Sequence, residues 1–264
     1  MALIVDGIWK TFPHRSHTQT VLRGVDMEVQ PGELVALIGH SGCGKSTLLK
    51  AIGGLLPTDG GTITLDDVLI DGAGPDRAMV FQSYSLLPRL SLLNNVRFAV
   101  RAARPAWGTA VADAAAERYL TAVGLWEHKD KRPAHVSGGM QQRTAVARAF
   151  AVEPRALLLD EPFGALDALT RARLQTQLID LWQSESDTEI VVMVTHGIDE
   201  AILLSDRIVV MGNAPGPSIV DVIPVDLPRP RDRVSVLDDP HFREVQARLL
   251  DLLMRDDPSE DEAA

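Results

Sequence analysis

Nine consecutive residues combine glycines, a lysine and hydroxyl side chains in a spacing that suits phosphate binding. They follow the apolar run 34–38, match the pattern G-x-x-x-x-G-K-[ST], and are Gly39, His40, Ser41, Gly42, Cys43, Gly44, Lys45, Ser46 and Thr47. Glycines let backbone N–H groups converge on an anion, and a following helix adds partial positive charge. Lys45 can reach the β- and γ-phosphates, and the Ser46 hydroxyl can ligate Mg²⁺. The sequence predicts a nucleotide-phosphate site of a kind that many NTPase families share.

Two adjacent acids, Asp160 and Glu161, follow the apolar run 156–159. Ligands of open α/β sheets bind at the carboxyl ends of the strands, which is where this pair is expected. Asp160 is suited to hold Mg²⁺, directly or through water, and Glu161 to polarise a water that attacks the γ-phosphate. The alternative is a strand that simply ends in solvent. Beside a phosphate loop, the catalytic interpretation is favoured.

The elements that must position these groups alternate between apolar runs and helical stretches. This order is typical of an α/β domain with a largely parallel central sheet. Continuous apolar runs predict strands covered on both faces at 34–38, 78–81, 156–159, 190–194 and 207–211. Shorter β-prone stretches predict an antiparallel layer from 3–5, 21–29 and 62–70.

Composition changes along the chain and predicts its division. Residues 102–119 are rich in Ala, Arg and Glu, so we expect a helical subdomain at 85–150 within an ATPase core. Several prolines follow Gly212, and an amphipathic helix is expected at 242–255. The predicted parts are a core of 1–84 and 151–225, the helical subdomain, a C-terminal extension of 226–255, and a disordered acidic tail of 256–264.

The charge and the cysteine content exclude several classes of partner. A net charge of −10 argues against nucleic acid as the main partner and against direct docking on anionic lipid. The single cysteine, Cys43, excludes an internal disulfide and fits a reducing compartment. No uncharged apolar run reaches the roughly 18 residues of a membrane span, and the first residues do not form a secretory signal. We expect a cytosolic protein that reaches a membrane only through another protein.

Four further elements, together with the phosphate loop and the acid pair, resemble the ATP-binding cassette (ABC) family over nearly the whole chain. In chain order they are Gln82 after 79–81, the run Ser137-Gly138-Gly139-Met140-Gln141-Gln142-Arg143, the run Gly164-Ala165-Leu166-Asp167, and His196 after 190–195. The resemblance implies a P-loop NTPase (RecA-like) fold with a mostly parallel core sheet, an antiparallel β layer and an inserted helical subdomain.

The resemblance also implies roles for these residues. Gln82 would touch Mg²⁺ and the attacking water, and His196 the γ-phosphate. Asp167 and Gln141 belong to the nucleotide-binding set. Phe12 aligns with the aromatic that stacks on adenine, although a core position is the alternative.

The signature run offers a helix N-terminus with a hydroxyl and bare backbone amides, which is a second anion site. In the family, Ser137, Gly138 and Gly139 of one subunit would bind the γ-phosphate held by Lys45 of another. The alternative for Ser137 alone is an ordinary helix N-cap. The implied cofactors are ATP and Mg²⁺.

The implied activity is that of an ATPase that dimerises around two nucleotides and drives a separate membrane permease. A periplasmic or lipid-anchored substrate-binding protein would act through that permease, and the cassette would lie at the cytoplasmic face of the membrane. Residues 83–88, apolar and rich in turns, are predicted to form part of a groove for a permease helix. The alternative is an internal hinge.

The cargo is suggested by family likeness alone. Residues 163–171 and 227–231 look like the branch of importers for nitrate, sulfonate and taurine, and residues 130–133, 203–211 and 228–233 are most similar to nitrate-type importers. Nitrate, nitrite or cyanate comes first, and a sulfonate or taurine second. The rival hypotheses are a soluble ABC-type ATPase without a transport partner, a scaffold that binds nucleotide without hydrolysis, and an exporter cassette.

Overall fold

The computed structural model describes residues 2–14, 17–164 and 166–255. The chain divides into two compact units, the first formed by residues 1–73 and 190–264 and the second by residues 74–189. The predicted acidic tail at 256–264 lies outside the described residues. The predicted division of the chain at residues 84, 150 and 225 stays a prediction.

The described residues form ten strands and seven α-helices. The strands are β1 (Leu3–His14), β2 (His17–Val29), β3 (Leu34–Gly39), β4 (Gly60–Leu65), β5 (Val68–Leu69), β6 (Arg77–Val80), β7 (Ala156–Asp160), β8 (Ile190–Val194), β9 (Arg207–Met211) and β10 (Ile219–Pro224). The helices are α1 (Lys45–Ile52), α2 (Leu92–Ala103), α3 (Thr109–Ala122), α4 (Gly138–Phe150), α5 (Ala168–Asp180), α6 (Ile198–Leu204) and α7 (Pro240–Arg255).

In the first unit, an antiparallel sheet has the strand order β2-β1-β4-β5. Its central strand β1 buries Leu3, Val5 and Ile8 on one face, while Ile4 is 37% exposed, because successive side chains of a strand point to opposite faces. The predicted antiparallel layer is confirmed. β1 continues well past residue 5 because a register shift that includes Gly7, with φ +57°, bends the strand without ending it.

The same unit holds four strands of the core sheet, in the order β10-β9-β3-β8. β3 pairs in parallel with both β8 and β9, and β3 and β8 are buried along their whole length. The predicted strands at 34–38, 190–194 and 207–211 are confirmed. β10 was not predicted: it pairs antiparallel with β9 at the sheet edge, and only one of its residues is buried. A half-exposed strand lacks the continuous apolar run by which its neighbours were predicted.

The second unit contains the parallel pair β6 and β7 together with helices α2 to α5. Helices α2, α3 and α4 pack on one another, and the Tyr119 and Phe150 rings stack between them with centroids 6.1 Å apart. The helical structure predicted from the composition of 102–119 is confirmed, with a break between α2 and α3. Pro105 lies in that break, where its missing N–H and fixed φ cannot extend α2.

Helix α7 closes the described chain and belongs to the first unit. It buries Phe242, Val245 and Leu249, and Gln246 Nε2 donates to Asp199 Oδ1 of α6 at 2.6 Å. The predicted apolar face is confirmed at its N-terminal part, whereas the Leu252 side of the helix is only partly buried. Among the described residues, no helix is both long and apolar enough to cross a bilayer.

Candidate functional site

The phosphate loop connects the end of β3 to the start of α1 in the first unit. At Gly39 a Cβ would lie 2.2 Å from the carbonyl oxygen of Met211, at the end of β9. At Gly44, where φ is +103°, a Cβ would lie 2.8 Å from Leu22 Cδ2 of β2. The chain therefore passes so close to its neighbours at both ends of the loop that only glycine fits.

Lys45 is buried at 5% exposure, and its contacts are with neutral groups of its own loop. Nζ donates to the carbonyl oxygens of Gly39 at 2.7 Å and His40 at 2.8 Å, and lies 3.6 Å from Cys43 Sγ. The positive charge is therefore held in place without neutralisation by these partners. Because the first N–H groups of a helix have no intrahelical acceptor, the start of α1 adds donors beside this charge. The arrangement fits a nucleotide phosphate.

His40 of the loop contacts the C-terminal helix. Its Nε2 lies 2.6 Å from the carbonyl oxygen of Leu253, near the end of α7. The motif treats position 40 as variable, so sequence reasoning could not anticipate this contact. The loop is thus bordered by a segment more than 200 residues further along the chain.

His196 and Phe12 also belong to the first unit. His196 follows the end of β8 and is exposed, and the turn behind it is fixed by Thr195, whose hydroxyl donates to the Glu200 carboxylate and accepts from the Gly197 N–H at 3.0 Å. Phe12 lies on β1, partly exposed, with the Lys10 ammonium 5.5 Å from its ring centroid. The structure shows both side chains accessible, and their contacts with nucleotide stay predictions.

In the second unit, the parallel strands β6 and β7 place Gln82 and the acid pair at the same edge. Gln82 Nε2 donates to Glu161 Oε2 at 2.9 Å. Asp160 is buried at 8% exposure, and Glu161 has φ +47°, a left-handed conformation that is unusual for a residue with a side chain. Such strain persists only where the surrounding structure enforces it, and it is concentrated at functional sites. The structure brings together Gln82 and Glu161, which lie 79 positions apart in the sequence.

The signature run starts α4. Ser137 is its N-cap, with Oγ accepting from the Met140 N–H at 3.3 Å, and both Ser137 and Gly138 are exposed. The capping role that was weighed as an alternative is therefore present, and it leaves the helix end open. Gln141 Nε2 reaches the carbonyl of Val136 at 3.5 Å. Sequence reasoning gave no role to the neighbouring Gln142, whose buried amide donates to the carbonyl of Pro162 behind the acid pair.

Asp167 is the N-cap of α5. Its Oδ1 accepts from the Thr170 N–H at 3.0 Å, and hydrogen bonds from Thr170 lower the pKa of Asp167 below its usual value. Gly139 lies against the same turn, since a Cβ there would be 2.7 Å from Thr170 Cγ2. The starts of α4 and α5 are therefore in contact through a glycine and a threonine.

Comparison with known proteins decides the family. The family model described as "ABC transporter" matches residues 22–164, more than half of the chain. The chain belongs to the ABC transporter family. The matched range contains the phosphate loop, Gln82, the signature run and the acid pair, and the predicted resemblance is confirmed.

Relatives of this cassette match over nearly its whole length. The nitrate import ATP-binding protein NrtD of Synechococcus elongatus is 45% identical over 95% of this chain and 90% of its own. The nitrate transport protein NasD of Klebsiella oxytoca is 44% identical over 96% of this chain and 97% of its own. The bicarbonate transport ATP-binding protein CmpC of Synechocystis sp. is 47% identical over 93% of this chain, which spans 37% of that protein.

Solved structures agree with the sequence family. A dimeric ATP-binding cassette in a post-hydrolysis state, bound to ADP and phosphate, matches with a TM-score of 0.75 and 28% identity, covering 85% of this chain and 99% of that one. The predicted P-loop NTPase fold is confirmed. This ABC subunit binds ATP and hydrolyses it.

Proposed function

We propose that this ABC ATPase drives uptake of a small inorganic oxyanion, nitrate first, through a separate membrane permease. The observation that carries the proposal is the 45% identity to a nitrate import ATP-binding protein across 95% of this chain. Bicarbonate is the second candidate, favoured by the 47% identity to a bicarbonate transport ATP-binding protein. These relatives favour the two oxyanions over the sulfonate or taurine of the sequence-based hypothesis.

Uptake of labelled anions tests the cargo. Deleting the gene in its host should abolish high-affinity ¹⁵N-nitrate uptake and leave bicarbonate and taurine uptake unchanged, because a dedicated ATPase serves one permease. The wild-type chain should restore uptake, and a Glu161→Gln chain should not. Loss of bicarbonate uptake instead would move the assignment to the second candidate.

We propose the following roles for the site residues. The phosphate loop with Lys45 holds the β- and γ-phosphates, His196 contacts the γ-phosphate, and Phe12 stacks on adenine. Ser46, Asp160 and Gln82 supply the hard oxygen ligands that Mg²⁺ prefers. When bound, Mg²⁺ neutralises charge on the phosphates. The position of Asp160 at the carboxyl end of the buried strand β7, where ligands of open α/β sheets bind, supports its assignment.

Glu161 is proposed to orient the attacking water. Its Oε2 accepts the Gln82 amide at 2.9 Å, so the carboxylate is held in one orientation with its other oxygen directed elsewhere. A Glu161→Gln variant should hydrolyse ATP about 100-fold more slowly or worse, while its ATP affinity stays close to that of the wild type. Steady-state ATPase assays with full titration of ATP measure both quantities.

Two copies are proposed to pair around ATP, with Ser137 of one facing the phosphate held by Lys45 of the other. The exposed N-cap of α4 and the dimeric cassettes with 28% identity support this pairing. With ATP and Mg²⁺, Glu161→Gln should elute as a dimer in size exclusion, and adding Ser137→Asp should return it to the monomer by repelling the phosphate. A Glu161→Gln chain that stays monomeric at saturating ATP contradicts the pairing.

The permease is proposed to dock on the second unit and so hold the cassette at the cytoplasmic face of the membrane. Leu87 is 38% exposed and Phe98 is 57% exposed. A groove of about 440 Å³ lies further along the chain than the predicted segment 83–88, and it is lined by Leu90, Asn94, Arg97, Phe98, Arg101 and Ala102. Arg97 and Arg101 at its rim are both paired with Asp113, so the exposed apolar surface is what suits a short permease helix.

Charge placed in this groove tests the docking. Phe98→Asp should abolish transport and leave the ATPase activity of the isolated cassette within about twofold of the wild type, because the groove contains none of the proposed catalytic residues. Val111→Asp is the control, since Val111 is 52% exposed on α3 of the same unit. Equal transport by the two variants would contradict docking at Phe98.

A further inference from the structure

Two consecutive residues just after Gln82 adopt a conformation that side chains avoid. Tyr84 has φ +61° and Ser85 has φ +48°, and neither is a glycine. Left-handed backbone at residues with a Cβ persists only where the surrounding structure enforces it. Contacts with the surrounding structure must therefore stabilise this turn.

Arg148 of α4 contacts both residues of the turn. Its Nη1 donates to the carbonyl oxygen of Ser85 at 2.6 Å and its Nη2 to that of Tyr84 at 3.0 Å. Successive residues of one helical hand direct their carbonyls to the same side, so the left-handed pair presents two adjacent acceptors to one planar guanidinium. Burial lowers the pKa of Arg148 below its usual value. A charged side chain is thus partly desolvated to bind this turn.

The turn at Tyr84 and Ser85 also fixes the backbone on the C-terminal side of Gln82. The Tyr84 N–H donates to the carbonyl of Phe81 at 3.1 Å, which closes a tight turn around Gln82. Gln82 Nε2 reaches Glu161 Oε2 at 2.9 Å from the same turn. A shift of the turn would therefore move the amide away from the carboxylate.

The helix that carries Arg148 also meets the turn near its other end. A Cβ placed on Gly138 would lie 3.2 Å from Tyr84 Oη, so the tyrosine ring packs against the start of α4. Gly138 immediately follows Ser137, the N-cap. The turn that follows Gln82 thus contacts α4 at two places, through the Tyr84 ring at the start of the helix and through Arg148 near its end.

We propose that Arg148 is a positioning residue for ATP hydrolysis: it fixes the turn at Tyr84 and Ser85 so that Gln82 stays on Glu161 and moves together with α4. The inference rests on the proposed roles of Gln82 and Glu161. Arg148 bonds to the turn and not to the phosphate loop, which is proposed to hold the phosphates, so its loss should affect turnover more than the affinity for ATP.

The test compares two arginines of the second unit, each of which bonds to two consecutive carbonyls. Arg148→Lys keeps the charge but loses the planar fork that serves two carbonyls, and should lower kcat about tenfold or more with KM for ATP unchanged within about twofold. Arg104→Lys is the matched control, since the Arg104 guanidinium also donates to two consecutive carbonyls, those of Val152 and Glu153, away from the proposed site. The control should keep kcat within about twofold. Circular dichroism and thermal unfolding establish that both variants fold.

A second change separates positioning from general damage. Ser85→Gly removes the penalty on positive φ, so the turn needs less support. Adding Ser85→Gly to Arg148→Lys should recover part of the lost kcat, which a merely destabilised helix would not do. If the double variant gains nothing, or if Arg148→Lys raises KM as much as it lowers kcat, the inference is wrong.

The proposed roles are tested separately by Glu161→Gln. Retained hydrolysis in that variant would overturn the role of Glu161 whatever Arg148 does. Loss of hydrolysis in Glu161→Gln together with a normal kcat in Arg148→Lys would overturn only the positioning role.

Discussion

The two units position their proposed functional groups in different ways. In the first, the phosphate loop is shaped by backbone: Gly39 and Gly44 pass against neighbouring strands where a Cβ has no room, and Lys45 bonds to carbonyls of its own loop. In the second, side chains from elsewhere in the chain do the positioning: Arg148 bonds to the positive-φ turn at Tyr84, and Gln82 bonds to the Glu161 carboxylate. The residues that shape the first site are therefore close together in the sequence, whereas those that position the second are far apart.

The difference has a consequence for how each unit tolerates change. Substitution in the phosphate loop acts directly, because the loop and its ligand groups are the same nine residues. Substitution in the second unit can act from a distance in sequence, because Arg148 lies 66 positions from Gln82. Five experiments probe this comparison.

The largest effect is expected at Lys45. Lys45→Met should lower kcat/KM for ATP by about 1,000-fold, since it removes a preorganised charge from the phosphates. Lys50→Met, at the exposed end of the same helix, is the control and should stay within about twofold of the wild type. A normal ATPase rate in Lys45→Met would show that the loop does not bind through its lysine.

Arg231 tests whether the first unit also depends on a side chain outside its loop. Its guanidinium donates to five carbonyls, those of Ile202, Leu203, Ser205, Val225 and Leu227, and burial lowers the pKa of Arg231 to about 10. Arg231→Met should lower the free energy of unfolding by about 3 kcal/mol, because it leaves buried carbonyls unpaired. Urea titration measures it, with the exposed Arg243→Met as control. If Arg231→Met loses no more unfolding free energy than Arg243→Met, the first unit does not depend on this side chain, and the difference between the units stands.

Glycine substitutions test the backbone argument. Gly32→Ala places a Cβ in open space at φ +80° and should cost about 1 kcal/mol through backbone strain alone. Gly44→Ala adds a contact of 2.8 Å with Leu22 Cδ2 and should cost about 2 kcal/mol. Thermal unfolding of the two variants gives the difference, and equal costs would mean that Leu22 moves aside freely.

The smallest effects concern pH. Hydrogen bonds from Lys10 and Thr11 hold the pKa of Asp59 at about 2, below its usual 3.8. Since the folded pKa is lowered, the stability from this carboxylate is present above about pH 4 and is lost as the pH falls towards 2. Asp59→Asn should flatten the dependence of unfolding free energy on pH in that window, and the exposed Asp67→Asn should not.

Asp167→Asn provides the counterpart in the second unit. The pKa of Asp167 is lowered by hydrogen bonds from Thr170, so its contribution is also lost as the pH falls. Asparagine caps a helix as well as aspartate does, so α5 should stay intact at neutral pH. A flattened profile for Asp59→Asn alone would show that charge matters more in the first unit.

Much of the fold could be predicted from the sequence because its buried strands are continuous apolar runs. The phosphate loop and the acid pair could be found because their residues are adjacent and their chemistry depends on spacing. β10 was missed because its residues alternate between half-buried and exposed at an edge. The contacts of Arg148 and Gln142 were missed because each is an ordinary helical residue whose partner lies far away in sequence.

The contact between His40 and the carbonyl of Leu253 makes the end of α7 a natural place for a reporter. Met254, the next residue, is 70% exposed, and the only native cysteine, Cys43, is 3% exposed. A thiol-reactive fluorophore on a Met254→Cys chain would therefore attach at one position. That position is next to Leu253, whose carbonyl contacts His40 of the phosphate loop. The fluorescence of such a labelled chain would report nucleotide binding and release in real time.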